Sequence, residues 1–241
     1  MTAPAPAERP PSVLEDLLEI FYAPRTVFER RRTTPAFGLA LVIFVVLMVA
    51  LTFAFRGLLD PIFQAEFKRA AARAMAANPD LTAEQMAKGR AIAQTFMFVG
   101  VGFVSLVTPL LVGVLLWLVG KLVESKAEIG QTMMIATYAM FPRLLQGIAN
   151  ALQALVLPES ALKSQWSVSL GVARFFDPDQ TSPVLLAALG RVDVFTLWVT
   201  ALLAIGLSVM GRIPLARAAL AAAVVWVLGA LPGIVGALRA G

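Results

Sequence analysis

Long uncharged apolar runs alternate with polar stretches along this chain of 241 residues. The first run covers residues 36–55, and about 20 apolar residues are enough for a helix to cross the hydrocarbon core of a bilayer. Four further runs follow the same pattern. We therefore predict an all-α fold, a polytopic transmembrane helix bundle that occupies residues 36–241. Its five spans are expected at about residues 36–55, 93–120, 129–157, 194–210 and 218–238.

The segment before the first span, residues 13–35, shows a different helical pattern. Apolar side chains recur there at helical spacing, with acidic ones on the other side, which predicts an N-terminal amphipathic helix at the interface or on the bundle. The apolar set is Val13, Leu14, Leu17, Leu18 and Phe21, and the acidic set is Glu15, Asp16 and Glu19. Ser12 and Glu15 form a capping box, and Pro24 stops or kinks the helix. Partner binding is an open alternative role, and residues 1–12 are expected to be a disordered tail.

Composition supports a lipid environment and narrows the possible chemistry. Apolar residues make up 59% of the chain and charged residues 15%, whereas soluble domains have about 45–50% and about 25%. The chain has no cysteine and no histidine. This removes thiol nucleophiles, Ser-His-Asp triads and the usual zinc and haem ligands. We expect no catalytic residue, no metal and no cofactor.

The net charge of +5, from 20 basic and 15 acidic residues, is best interpreted as membrane topology. No soluble basic domain exists that could bind nucleic acid. Residues 30–32 are three arginines next to the first span, which favours a cytoplasmic amino terminus. Five spans then place the carboxyl terminus outside. The high arginine and alanine content fits a bacterial source, so we expect the cytoplasmic (inner) membrane of a bacterium.

One charged residue, Arg143, falls inside a predicted span, next to Pro142. An ionisable residue within the membrane is a functional candidate that needs a partner or water. Asp193, at the start of the fourth span, is the expected partner. The alternative is that Arg143 reaches a lipid headgroup while Asp193 caps its own helix.

Small residues recur at helix-contact spacing in two spans. Gly229 and Gly233 form a Gly-x-x-x-Gly motif, and Gly113 and Gly120 lie seven residues apart in the second span. Such glycines let helices approach closely. The contacts could be internal or could support self-association. Expected partners are therefore membrane lipids, other membrane proteins or a second copy of the chain.

Several short motifs resemble those of Yip1-domain membrane proteins of the bacterial type. The stretch from Phe21 to Phe28, with Pro24 inside it, is similar to the segment that precedes the family's first span. Tyr138 and Pro142 resemble the third-helix pattern. The entry to the fourth helix and a glycine within it also match, at Asp193, Phe195, Trp198 and Gly206.

The resemblance implies five spans and carries no catalytic residue. Eukaryotic relatives bind Rab-type GTPases and shape vesicles, a process that bacteria lack. We therefore expect a non-enzymatic scaffold or adaptor in membrane organisation or trafficking-like processes. The alternative is a small transporter or permease subunit with a polar path near Arg143, Pro109 and Pro142. An intramembrane hydrolase is disfavoured, because no span contains Asp, Glu or His.

Overall fold

The computed structural model describes residues 12–78, 80 and 82–240, and this part of the chain is all-helical. It contains two short 3-10 turns and ten α-helices. These are α1 (Val13–Glu19), α2 (Pro24–Arg30), α3 (Gly38–Ala77), α4 (Ala83–Leu122), α5 (Ile129–Ala139), α6 (Pro142–Val156), α7 (Pro183–Leu189), α8 (Val194–Gly211), α9 (Leu215–Leu228) and α10 (Leu231–Ala240). The predicted tail, except for Ser12, lies outside the described residues.

Four helices are long and apolar enough to cross a membrane, whereas five spans were predicted. They cover Gly38–Ala76, Val99–Leu122, Val194–Gly211 and Leu215–Leu238, the last of which runs through α9 and most of α10. The third predicted span, residues 129–157, is divided between α5 and α6, and neither helix alone is long enough. The five-span count is therefore not confirmed.

The break between α5 and α6 is a kink caused by proline. Pro142 has no amide hydrogen, so it cannot donate to the carbonyl four residues earlier. Hydrogen bonds between residues three apart are found at this point. The amides of Met140, Phe141 and Arg143 donate to carbonyls three residues before them, at 2.9–3.2 Å. Met140 and Phe141 keep right-handed helical dihedral angles. The chain therefore continues in a helical path through the kink.

Helices α3 and α4 form a long pair that extends beyond the apolar bundle. Each has 40 residues, or about 60 Å at 1.5 Å per residue, which is twice the thickness of the hydrocarbon core. Helix α3 continues without a break through Pro61. Thr82 and Gln85 form a capping box at the start of α4.

The bundle is packed inside and apolar outside. Helices α5 and α8 supply fully buried side chains such as Met134, Ile135 and Leu207, while Phe103 and Leu111 of α4 are exposed. A soluble protein would place such side chains inward, but lipid accepts them. Together with the four apolar helices, this pattern supports an integral membrane protein.

The amino-terminal segment forms two short helices on one end of the bundle, so a single amphipathic helix is not confirmed. Leu17 of α1 and Phe28 of α2 are buried in the core. Asp16, expected on the polar face, is fully buried. Arginines from α2 explain this: Arg30 Nη1 donates to Asp16 Oδ1 at 2.7 Å, and Arg31 Nε donates to Oδ2 at 2.6 Å. Buried carboxylates require such paired donors.

Candidate functional site

An open cavity of about 550 Å³ lies at the end of the bundle where α8 begins. Several parts of the chain surround it: the second half of α3, the start of α6, the segment between α6 and α7, helix α7, the loop before α8, the first turn of α8, and α10 with the residues just before it. Its charged and polar lining includes Arg69, Arg73, Arg143, Gln146, Arg191 and Asp193. The cavity is therefore bounded by residues from distant parts of the sequence.

Arg143 lies in the first turn of α6, where Pro142 occupies the first helical position. Its Nη1 donates to Gln146 Oε1 at 2.6 Å, and its Nη2 donates to Thr196 Oγ1 at 3.1 Å. Thr196 belongs to the first turn of α8. Arg143 is therefore level with the start of that 18-residue helix, near one end of the bundle.

Asp193 caps α8 and joins the same network. Its Oδ1 accepts from the amides of Phe195 at 2.9 Å and Thr196 at 3.3 Å, and from Gln146 Nε2 at 3.2 Å. Gln146 thus connects Asp193 to Arg143, and no direct ion pair joins the two among the described residues. Asp193 is only 3% exposed, and its Oδ2 is buried without a hydrogen-bond partner.

Arg191, in the loop before α8, is held by Trp226 of α9. Its Nη2 donates to the Trp226 carbonyl at 2.9 Å, and the Arg191 carbonyl accepts from Trp226 Nε1 at 3.2 Å. The guanidinium lies 5.9 Å from the centre of the indole ring. Burial lowers the pKa of the Arg191 guanidinium from its usual value, because a charged group loses solvation there.

The cavity carries an excess of positive charge. Four arginines line it, against the carboxylates of Glu66 and Asp193. Arg69 forms ion pairs with Glu66 at 3.2 Å and with Asp179 at 3.6 Å. Within the described part of the chain, the other three arginines form no ion pair. An anion would therefore find uncompensated charge in this cavity.

The remaining motif positions pack between helices, away from the cavity. Phe28 contacts α8 at Gly206, where an added Cβ would stand 3.1 Å from the Phe28 ring. Trp198 packs edge-on against Phe21, with ring centres 5.8 Å apart. Tyr138 and Phe195 are buried in the bundle, and Pro24 opens α2. These positions thus hold α2, α5 and α8 together.

The four glycines singled out from the sequence occupy different surroundings. A Cβ on Gly113 would stand 2.8 Å from Met133 Sδ, and one on Gly120 would stand 3.4 Å from Ser125 Cβ. One on Gly229 would stand 3.1 Å from Arg191 Nη2. At Gly233 nothing lies within 4 Å, and both Gly229 and Gly233 line the cavity.

The functions of Gln146 and Arg191 at this site, and the burial of Asp16, were not predicted from the sequence. Gln146 could have been found, because it follows Arg143 by three residues and so shares its helix face. Arg191 carries no such local signal. The position of the Arg191 side chain depends on Trp226, which lies in the fifth predicted span.

Comparison with known proteins points to one family. A family model described as the Yip1 domain matches residues 18–237. No match is found among curated proteins or among solved structures. In the described residues, no group of acidic side chains is arranged to hold a metal ion.

Proposed function

The chain belongs to the Yip1 domain family, and from this membership we propose that it is a non-enzymatic membrane scaffold or adaptor. In this function it would organise lipids or partner proteins in membrane-organisation or trafficking-like processes. We further propose that it resides in the cytoplasmic membrane of a bacterium, with its amino terminus in the cytoplasm and its carboxyl terminus outside.

The observation that carries the proposal is an apolar edge on a firmly docked helix pair. Leu14, Leu18 and Tyr22 lie four residues apart and are 63%, 68% and 75% exposed. The Asp16 ion pairs join α1 to α2, and Phe28 of α2 is buried in the core of the bundle. A rigid apolar edge at a membrane surface suits contact with a partner helix or with lipid.

Affinity purification from native membranes tests this proposal. The double variant Leu14→Ser/Leu18→Ser removes the apolar edge without altering the buried anchors. We expect it to lose specific protein or lipid partners that the unmodified chain retains. A matched control is Val156→Ser/Phe175→Ser, two side chains that are 82% and 81% exposed in another part of the chain. Equal recoveries from the edge variant and the unmodified protein would contradict the adaptor function.

A second candidate function is passage of a small solute, because Arg143 and Gln146 line two cavities. The second cavity, of about 400 Å³, lies among α3, α4 and α6 and includes Ser105 and Thr108. Ser105→Cys provides a test in this cysteine-free chain. Reaction with a membrane-impermeant thiol reagent would favour a water-filled path, whereas protection would favour the scaffold.

A further inference from the structure

We propose that the cavity at the start of α8 binds a phosphate group that carries a neighbouring hydrogen-bond donor, as in the phosphoethanolamine or phosphoglycerol headgroup of a phospholipid. The site lies at the opposite end of α8 from the contact between Phe28 and Gly206. It is therefore separate from the apolar edge, and its existence does not depend on the proposed adaptor function.

Arg143 and Arg191 carry more positive charge than their surroundings balance. Both guanidinium groups are partly buried, line the cavity and donate hydrogen bonds only to neutral partners: Gln146, Thr196 and Trp226. The carboxylate of Asp193 acts on Arg143 without a direct ion pair, and one carboxylate does not balance two desolvated guanidinium groups. Guanidinium groups match the geometry of phosphate oxygens and bind them through paired, charge-assisted hydrogen bonds. A phosphate between them would balance the remaining positive charge.

Asp193 offers one carboxylate oxygen, Oδ2, that has no hydrogen-bond donor. Its Oδ1 has three donors, but its Oδ2 is buried and has none. A buried carboxylate oxygen lacks a favourable interaction until a donor reaches it. A simple anion would not provide one, and a carboxylate next to the site would repel it. A ligand with a phosphate and an adjacent ammonium or hydroxyl group satisfies both the arginines and Asp193.

The position and the volume of the cavity also fit a lipid headgroup. The floor of the cavity is level with the first turn of α8, at the end of the apolar bundle, which is the depth where lipid headgroups lie. A volume of about 550 Å³ is within the range of small-ligand sites. The α10 wall is open at Gly233, where no atom occupies the position of a side chain. Guanidinium groups at the boundary of the apolar bundle are suited to the phosphate of a lipid headgroup.

Native mass spectrometry of the full chain in detergent tests the site. We expect one phospholipid per chain to stay bound, and Arg143→Gln to reduce its occupancy about tenfold, as expected for loss of a charge-assisted hydrogen bond. Arg56→Gln is the matched control, since Arg56 is exposed on α3 and does not line the cavity. Equal loss in both arginine variants would overturn the proposal.

Two further experiments show whether the phosphate belongs to a lipid or to a soluble ligand, and which ligand group donates to Asp193. If the purified chain holds no lipid but is stabilised against heating by soluble phosphoethanolamine, the phosphate site is supported with a soluble ligand. Asp193→Asn keeps a capping residue at α8 but removes the negative charge. We expect it to weaken phosphatidylethanolamine binding about tenfold and phosphatidylglycerol binding less. Equal binding of both lipids to this variant and to the unmodified chain would contradict the role of Asp193.

A cavity-filling variant covers the possibility that Arg143→Gln fails to fold. Gly233→Leu places a side chain in the open space beside α10, where an added Cβ meets no atom within 4 Å, and leaves the arginines and Asp193 unchanged. We expect it to fold and to lose the bound phosphate ligand. Binding of neither phospholipid nor phosphoethanolamine by the unmodified chain, or full binding by Gly233→Leu, would overturn the proposal.

Discussion

Gly113 and Gly233 differ in the space that is available for a side chain. At Gly113, Met133 is so close that a methyl group would stand 2.9 Å from its Cα, a backbone atom that cannot rotate away. At Gly233 the same position is empty. One glycine thus permits helix packing, whereas the other leaves a cavity open.

We therefore expect opposite effects from the same substitution. Gly113→Ala should lower the free energy of unfolding by about 1–3 kcal/mol, because overpacking displaces neighbouring atoms. Gly233→Ala should raise it by about 0.5–1 kcal/mol, because alanine restricts the unfolded chain and meets no obstacle. Unfolding measured in detergent checks both values, and shifts of the same sign would refute this account.

This difference could not be predicted from the sequence. Gly233 belongs to the more convincing helix-contact motif, Gly229-x-x-x-Gly233, yet it faces open space within this chain. A spacing motif indicates which residues share a helix face but not what lies opposite that face. The partner of Gly113, Met133, belongs to a different predicted span.

At the scale of helices, the docking of α1 and α2 depends on one buried carboxylate. Asp16 binds Arg30 and Arg31, and Arg30 also binds Glu19 at 2.8 Å. The spacing of apolar residues from Val13 to Phe21 predicted a helix here, and Pro24 was expected to stop or kink it. Helix α1 instead ends at Glu19, and Pro24 begins α2. The burial of Asp16 was not predictable, because it depends on how two short helices fold against each other.

Removal of this carboxylate should loosen α1 from α2. For Asp16→Ala we expect a loss of about 1–3 kcal/mol in the free energy that holds α1 on α2, because charge-assisted hydrogen bonds to Arg30 and Arg31 are lost while Arg30 keeps Glu19. Hydrogen exchange in α1 should accelerate while α8 stays protected. Arg25→Ala, which breaks an exposed ion pair with Glu29, is the control and should cost less than about 0.5 kcal/mol. Similar exchange rates in both variants would show that Asp16 is not the anchor.

At the scale of the whole molecule, apolar run length predicted the all-α fold and most helix positions. Run length alone could not reveal the kink at Pro142 or that α3 continues as one helix from Gly38 to Ala77. The cavity was also beyond prediction, because its lining comes from residues between Glu66 and Ala237. Only the assembled helices bring those segments together.

The topology predicts that Leu18 and Phe175 lie on opposite sides of the membrane. Both are exposed, and the chain contains no cysteine that would interfere with labelling. In intact cells, Phe175→Cys should react with an impermeant maleimide, whereas Leu18→Cys should react only after lysis. Val156→Cys should behave like Phe175→Cys. Reaction of Leu18→Cys and Phe175→Cys from the same side would rule out the proposed topology.

The contact between Phe28 and Gly206 has a consequence for biosynthesis. Phe28 emerges from the ribosome about 180 residues before its partner, which at about 5–20 residues per second is a delay of about 10–40 s. Throughout that interval the apolar side of α2 has no site on α8 to occupy. The nascent amino-terminal segment must rest on the membrane or on a chaperone, and insertion of α8 ends that exposure.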